Sequence, residues 1–328
     1  MNTDFHLYSG HGEPLAHRGG ALPPFAPATL LDDPAKYLAD AGLRDAVNVA
    51  LALGQPLLLT GEPGTGKTQL AASLAHELGL PAPLVFNVKT TSTAHDLFYR
   101  YDSLGHFHAA QFDRGARAAE DFITYEALGL AILRSLPPGD AQLPPGFAHA
   151  GRTRSVVLID EIDKAPRDLP NDLLNELEAM SFTVRETGRA FHSDPALRPI
   201  LVLTSNSEKN LPEAFLRRCV FYHIPFPDAA RLRKIVGARL GGDHGFSPAQ
   251  LDAALAHFTA IRELGLKKQP ATAEFLAWMR ILARLDLDVS ALRDGEREAL
   301  LFSYSILAKN KEDLDLLRQR AAAAAPEV

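Results

Sequence analysis

The chain has 328 residues, 46% hydrophobic and 23% charged, which is an ordinary globular composition with room for two domains. A net charge of −6 and a pI near 6.1 argue against a dedicated binder of nucleic acid or anionic membrane, which would carry a basic excess or stripe. The single cysteine, Cys219, excludes an internal disulfide. No apolar run reaches the roughly 20 residues of a membrane span, and the first residues lack a secretion signal's basic and apolar regions, so a cytoplasmic location is expected.

Residues 1–33 are rich in Gly, Pro and His without periodicity and read as an N-terminal arm. A helix is expected over 34–53, capped by Asp33 with Pro34 in its first turn, because Tyr37, Leu38, Leu43, Val47 and Leu51 recur near one face. Residues 56–60 are a short apolar run between turn signals, the pattern of a buried strand. A helix over 68–78 and a strand over 84–88 follow. In 90–154 the expectation is a hairpin of 98–101 with 105–108 about a turn at 102–104, then a helix over 116–136 and a Pro/Gly-rich loop over 137–151.

Residues 155–159 make a strongly apolar strand, 169–180 a helix, and 181–185 with 189–192 a second hairpin about Glu186-Thr187-Gly188. A strand over 199–203, a short helix over 210–218 and a strand over 220–224 complete an alternation that predicts a parallel α/β sheet with covered faces. Beyond Pro225-Phe226-Pro227 only helical patterns run, with breaks at 241–245, 265–270 and 294–295. The expected division is an arm over 1–33, an α/β domain over 34–226, a helical domain over 227–320 and an alanine-rich tail over 321–328.

Gly61-Glu62-Pro63-Gly64-Thr65-Gly66-Lys67-Thr68 fits G-x-x-x-x-G-K-[ST] between an apolar strand and a helix. Glycines at this spacing let successive N–H groups turn inward on phosphate oxygens. The helix that follows, with Gln69 in its first turn, adds free N–H groups and its positive dipole end. Lys67 brings charge to the β and γ phosphates of ATP, and Thr68 a hydroxyl to Mg2+.

The run Val156 to Ile159 delivers Asp160 and Glu161 to the ligand-facing edge of a buried strand. Asp160 suits magnesium, directly or through water, and Glu161 suits orienting the attacking water; the pair also reads as an acidic helix cap. Asn206, after the apolar run 201–203, is a candidate to hydrogen-bond a γ-phosphate or lytic water, although Asn is also a common turn residue.

Taken together, GEPGTGKT, VVLIDEIDKA, LVLTSN and LPEAFLRRC resemble an AAA+ ATPase of the MoxR-like branch, in the dynein-related group, over about residues 37–307. The resemblance implies a P-loop NTPase parallel-sheet domain followed by a small all-helical lid. It implies ATP and Mg2+ as cofactors, and a homo-oligomeric ring, hexameric when nucleotide-bound, with each site shared between subunits. It implies that Asn206 is the first sensor and Arg218 the arginine finger, with Arg217 assisting or pairing an acid, and that Asn87 is placed to restrain Glu161. The two hairpins match insertions that face a pore or substrate, although Phe98, Tyr99 and Phe107 also suit local packing. One departure concerns the second sensor. Where the family often has an arginine at the start of a lid helix, this chain has Glu274, with Lys267 or Lys268 as candidate substitutes.

The resemblance further implies a protein client and a partner bearing a von Willebrand factor A domain. A restriction-type, nucleic-acid-directed NTPase and a nucleotide-gated scaffold with little turnover are the alternatives; the acidic charge argues against the first, the intact Lys67, Asp160, Glu161 and Arg218 against the second. Asn310-Lys311-Glu312-Asp313 matches the N-K-x-D guanine-reading string, but it follows Leu300, Leu301, Tyr304 and Leu307 at helical spacing and reads as a solvated helix continuation. His6, His11 and His17, and His106 with His108, lack partners at zinc spacing, so magnesium is the one metal expected.

Overall fold

Four consecutive buried residues, Leu57–Thr60, form an inner strand of the sheet in the computed structural model, which describes Tyr8, His11 and residues 33–112, 117–149, 151–206, 211–240, 245–292 and 296–323. Contacts divide the chain into a larger unit, Tyr37–Glu62 with Gly66–Ile224, and a smaller one from Pro225 onward, to which Pro63–Thr65 and the segment up to Lys36 are assigned. The larger unit opens with helix α1 (Ala41–Leu53), strand β1 (Leu57–Thr60), helix α2 (Lys67–Glu77) and strand β2 (Leu84–Asn87). Strand β3 (Tyr99–Tyr101), helix α3 (Ser103–Phe112), strand β4 (Ile123–Tyr125) and helix α4 (Ala127–Ser135) follow. Then come β5 (Val156–Asp160), α5 (Leu169–Asp172), α6 (Leu174–Ala179), β6 (Ser181–Thr183), β7 (Ala190–His192), β8 (Ile200–Thr204), α7 (Glu213–Leu216) and β9 (Val220–His223).

The main sheet has the order β2-β5-β8-β1-β9, and every pairing in it is parallel. Its strands are apolar on both faces because both faces are covered. Val156 and Leu158 join Leu57, Leu59 and Val202 in a core with Leu43 and Ala50 of α1 and Leu70, Ala71 and Leu74 of α2. The alternate residues Val157, Ile159, Leu58, Leu201 and Leu203 face a second core with Leu128, Ile132 and Leu133 of α4 and Leu169, Leu173 and Leu177. This period of two is the strand's own geometry, and each large side chain so buried stabilises the fold by about 1.5–3 kcal/mol.

Several boundaries differ from expectation. The helix expected from Pro34 is a 3-10 turn, Pro34–Lys36, followed by α1, whose cap is Asp40 rather than Asp33: its carboxylate accepts the Leu43 N–H at 2.7 Å. The first hairpin does not turn at 102–104. Residues 105–108 lie within α3, and β3 pairs instead with β4, Tyr99 opposite Tyr125, so the helix expected over 116–136 is interrupted by a strand. The second hairpin has the expected form, with Phe182 opposite Phe191. The two hairpins pack on each other: the Phe98 and Phe182 rings stack at 5.1 Å, and Tyr99 Oη accepts the Arg185 N–H at 3.0 Å. Packing therefore claims Phe98 and Tyr99, whereas Leu104 and Phe107 of α3 are exposed.

The smaller unit holds helices α8 (Ala229–Leu240), α9 (Pro248–Arg262), α10 (Thr272–Leu285), α11 (Glu296–Ser303) and α12 (Lys311–Ala323). Ser247 caps α9 in a reciprocal box with Gln250, and Pro248 occupies the first helical position. The core gathers Val236, Phe258, Phe275, Trp278, Met279 and Leu307, and Trp278 Nε1 donates to Ser303 Oγ at 2.9 Å. The N-K-x-D string is not a solvated continuation: it opens α12, and Asp313 is buried. Its carboxylate accepts the N–H groups of Lys267 and Lys268 at 2.9 and 3.1 Å and the Asn310 amide at 2.6 Å. Burial alone would raise the Asp313 pKa, but these donors outweigh it and hold it below the ordinary value.

The arm over 1–33 and the tail beyond Ala323 lie almost wholly outside the described residues, as do His6, His17 and Asn210. Among the described residues no helix is long and apolar enough to cross a membrane. A parallel sheet flanked by helices, with a glycine-rich turn between β1 and α2 and a helical region after the last strand, is the P-loop NTPase fold with a small C-terminal helical lid.

Candidate functional site

The site is built where strands end. β1 hands over at Thr60 to the loop of Gly61 to Gly66, and α2 begins at Lys67. Gly64 and Gly66 have φ of 76° and 91°, a left-handed conformation that favours glycine and turns the backbone inside one short loop. The N-cap of α2 is Gly66, which has no side chain to cap the helix, so no cap side chain competes with an anion for the positive end of α2.

Lys67 is 7% exposed, and its ammonium donates to the loop carbonyls of Gly61 at 2.8 Å and Glu62 at 3.0 Å. Burial lowers its pKa, while Asp160, Asp163, Glu161 and Glu62 oppose that shift. A lysine so placed is a charge confined to the mouth of the glycine loop. Thr68, next on α2, donates its hydroxyl to Asp160, 3.1 and 3.3 Å from the two carboxylate oxygens.

Asp160 ends β5, between β2 and β8, and Glu161 follows it as the cap of a short 3-10 turn, Ile162–Lys164. Glu161 has φ 58° and ψ 50°, in the left-handed region that residues bearing a side chain seldom occupy. Three neighbours hold it there. Its N–H donates to Thr204 Oγ1 at 2.9 Å, Asn206 Nδ2 donates to its Oε1 at 3.3 Å, and Lys164 forms an ion pair with its Oε2. Asn87, opposite Asp160 in register, was expected to restrain Glu161; the partners that hold the carboxylate are Asn206 and Lys164. Asn206 is fixed in turn, since its N–H donates to Asp163 Oδ2 at 3.2 Å. Asp163 is 2% exposed.

Lys67, Thr68, Asp160, Glu161 and Asn206 thus converge at the C-terminal edge of the sheet. Thr204, Asp163 and Lys164 belong to the same network and were not legible as site residues. Thr204 donates to Asp160 Oδ1 while accepting from Glu161. Only knowing that β8 lies beside β5, with Leu203 opposite Ile159, would have placed it there.

The donor set suits magnesium. A hydroxyl and a carboxylate, both hard oxygen donors, stand side by side at Thr68 and Asp160, and Mg2+ in phosphate sites takes few protein ligands and fills its shell with phosphate oxygens and water. Among the described residues there is no group of three or more His, Cys, Asp or Glu arranged as a metal cage.

Arg218 is elsewhere. β9 runs parallel to β1 with Val220 opposite Leu57, and the Val220 N–H donates to Pro56 O at 2.8 Å. Arg218 therefore sits at the N-terminal edge of the sheet, the length of β1 away from the glycine loop, about 13 Å at about 3.3 Å per residue. Its guanidinium donates to Ala214 O at 3.2 Å and lies 3.6 Å from Glu178 Oε2, and the side chain is 48% exposed. Arg217 pairs with Glu213 on the surface. Burial pushes the Cys219 thiol beside them up to about 12, so it stays protonated.

In the smaller unit Glu274 accepts the Ala271 N–H at 3.2 Å, closing the first turn of α10, and Lys267 pairs with Glu312 at 2.6 Å. The second-sensor candidates thus carry local bonds of their own.

Residues 56–219, half of the chain, match the family model described as AAA domain (dynein-related subfamily). No protein of curated function matches the chain.

Proposed function

Because the chain belongs to the dynein-related subfamily of AAA domains, and so carries a general NTP-hydrolysing domain, we propose that it is a magnesium-dependent ATPase of the MoxR-like branch that works as a homo-oligomeric ring. In this reading Gly61, Glu62, Pro63, Gly64, Thr65, Gly66, Lys67, Thr68 and Gln69 bind the phosphates, with Lys67 neutralising charge at the β and γ positions. Thr68 and Asp160 hold magnesium, which when bound screens the phosphate charge. Glu161 accepts a proton from, and aims, the attacking water, and Asn206 keeps that carboxylate oriented.

The observation that carries the ring is the position of Arg218. It lies at the opposite edge of the sheet from Lys67, so within one chain it cannot reach the phosphates held there. A second copy presenting its own N-terminal edge would supply the missing charge, and in phosphoryl transfer generally such an arginine is worth about 10³ to 10⁵ in rate. A hexamer is the ring size this reading takes. Remodelling or activation of a protein client, with a von Willebrand factor A domain partner, follows from the MoxR-like reading. The exposed Leu104 and Phe107 of α3 offer apolar contact surface for such a client.

The test is ATP turnover by wild type, Arg218→Ala and their mixtures across protein concentration, with size followed by light scattering. Activity per chain that rises with assembly, and is lost in Arg218→Ala, is expected. Turnover independent of concentration that survives Arg218→Ala would mean that each chain holds a complete site. Stimulation by DNA would favour the nucleic-acid-directed alternative, and ATP binding with negligible turnover under all conditions would favour the scaffold.

A further inference from the structure

Thr204 ends β8 at 1% exposure, bonded both to Asp160, the last residue of β5, and to Glu161, which follows it. A threonine hydroxyl has one proton to give and two lone pairs. Here the proton goes to Asp160 Oδ1, and a lone pair accepts the N–H of Glu161 at 2.9 Å. The first bond fixes the carboxylate that Thr68 also touches. The second holds a residue whose backbone is in the left-handed region, φ 58°, which a residue bearing a side chain keeps only where its surroundings hold it. Thr204 is itself held by the sheet, with Leu203 opposite Ile159 and Thr204 opposite Leu59.

We propose that Thr204 is a positioning residue of the nucleotide site, whose one hydroxyl sets the orientation of Asp160 through the bond it donates and the aim of Glu161 through the bond it accepts. This rests on Asp160 as the magnesium-holding acid and Glu161 as the water-orienting one. Its consequence is that a single hydroxyl couples two separable functions, magnesium-dependent nucleotide affinity and the hydrolytic step.

The experiment compares wild type, Thr204→Val and Thr204→Ser in full-length protein. Steady-state kinetics give kcat and KM. Magnesium-dependent affinity is read separately as titration of a fluorescent ATP analogue with and without Mg2+, in a Glu161→Gln background where turnover does not interfere. Loss of an outer-shell partner typically costs about 10- to 100-fold in metal affinity or activity. Thr204→Val is expected to lose kcat by that factor and to lose a similar part of the affinity gained from Mg2+, while binding without Mg2+ is unchanged. Thr204→Ser, which keeps the hydroxyl, restores both.

A Thr204→Val protein that hydrolyses and binds as wild type does, or a Thr204→Ser protein as impaired as the valine variant, overturns the proposal. Thermal melting reports folding. Should the valine variant melt below the assay temperature, Thr204→Ala, which places no methyl against Asp160, is scored by the same criteria. Failure of the underlying reading shows differently. Normal turnover by Glu161→Gln alone would remove Glu161 from its role, while the Mg2+ titration would still judge Thr204 at Asp160.

Discussion

Asn206 gives its side-chain amide to Glu161, Nδ2 to Oε1 at 3.3 Å, while its own backbone N–H is tied to the buried Asp163 at 3.2 Å. The second residue after β8 thus reaches back to the end of β5 and holds the carboxylate of the acid proposed to aim water. Glu161→Gln is expected to bind ATP and to lose kcat by about 10²-fold or more. Asn206→Ala is expected to cost about 10²- to 10³-fold, as for a preorganised donor. Residues that act as a unit are strongly non-additive, so the double variant should be little worse than Glu161→Gln. Steady-state kinetics decide; losses that multiply would show that the two act independently.

Lys164 occupies the other oxygen of the same carboxylate. It stands three residues on, at the end of a short 3-10 turn, and the pair is part-exposed, so its worth for folding is slight. Its expected effect is on geometry. Lys164→Met should leave ATP affinity and melting temperature unchanged and lower kcat by about tenfold, less than the 10²–10⁴ of a full acid–base group because Asn206 still holds Oε1. Lys164→Arg should recover most of it. Turnover that increases in Lys164→Met would instead make this lysine a restraint on Glu161.

The parts that could be read from the sequence were those in which one segment does the work. The glycine loop, the acids after 156–159 and the second hairpin each depend on local spacing, and all three stand where spacing put them. The first hairpin was misread because the partner of Tyr99–Tyr101 is Ile123–Tyr125, beyond an intervening helix, and residues 105–108 have no local feature that separates helix from strand. Thr204 and Asp163 were missed for the same reason at the site. Each acts on a residue more than 40 positions away, through the β5–β8 adjacency that only the fold supplies. The N-K-x-D string was set aside as a guanine reader on its context. What that context did not show is that Asp313 turns inward to the 267–268 backbone.

That inward turn makes Asp313 a stability residue of the smaller unit. It is 3% exposed and accepts two backbone N–H groups and one amide. Asp313→Ala removes the charged acceptor that these part-buried donors share, at a cost of about 2 kcal/mol. Trp278, the one tryptophan of the chain, lies in the core of this unit and reports its unfolding by fluorescence. The urea midpoint seen by Trp278 should fall in Asp313→Ala, while Lys267→Ala, which keeps the backbone N–H bonded to Asp313 and loses the exposed pair with Glu312 and a charge near Asp313, should move it much less.

The same probe tests a pH dependence. His257 is stacked between Trp278 and Tyr304, with ring centroids 5.7 and 5.8 Å away, and its Nε2 is 2.8 Å from the Tyr304 hydroxyl. Burial lowers the His257 pKa below the ordinary 6.5, and burial pushes Tyr304 up to about 12. The folded-state pKa lies below the unfolded one. Between the two values the unfolded chain binds more protons, so stability rises with pH through that window and is lost as pH falls below about 6.5. The melting midpoint followed by Trp278 should therefore drop between about pH 7 and about pH 5.5, and His257→Phe should flatten that slope while lowering the midpoint at neutral pH through loss of the tyrosine bond. Equal slopes in the two proteins would assign the dependence to other groups.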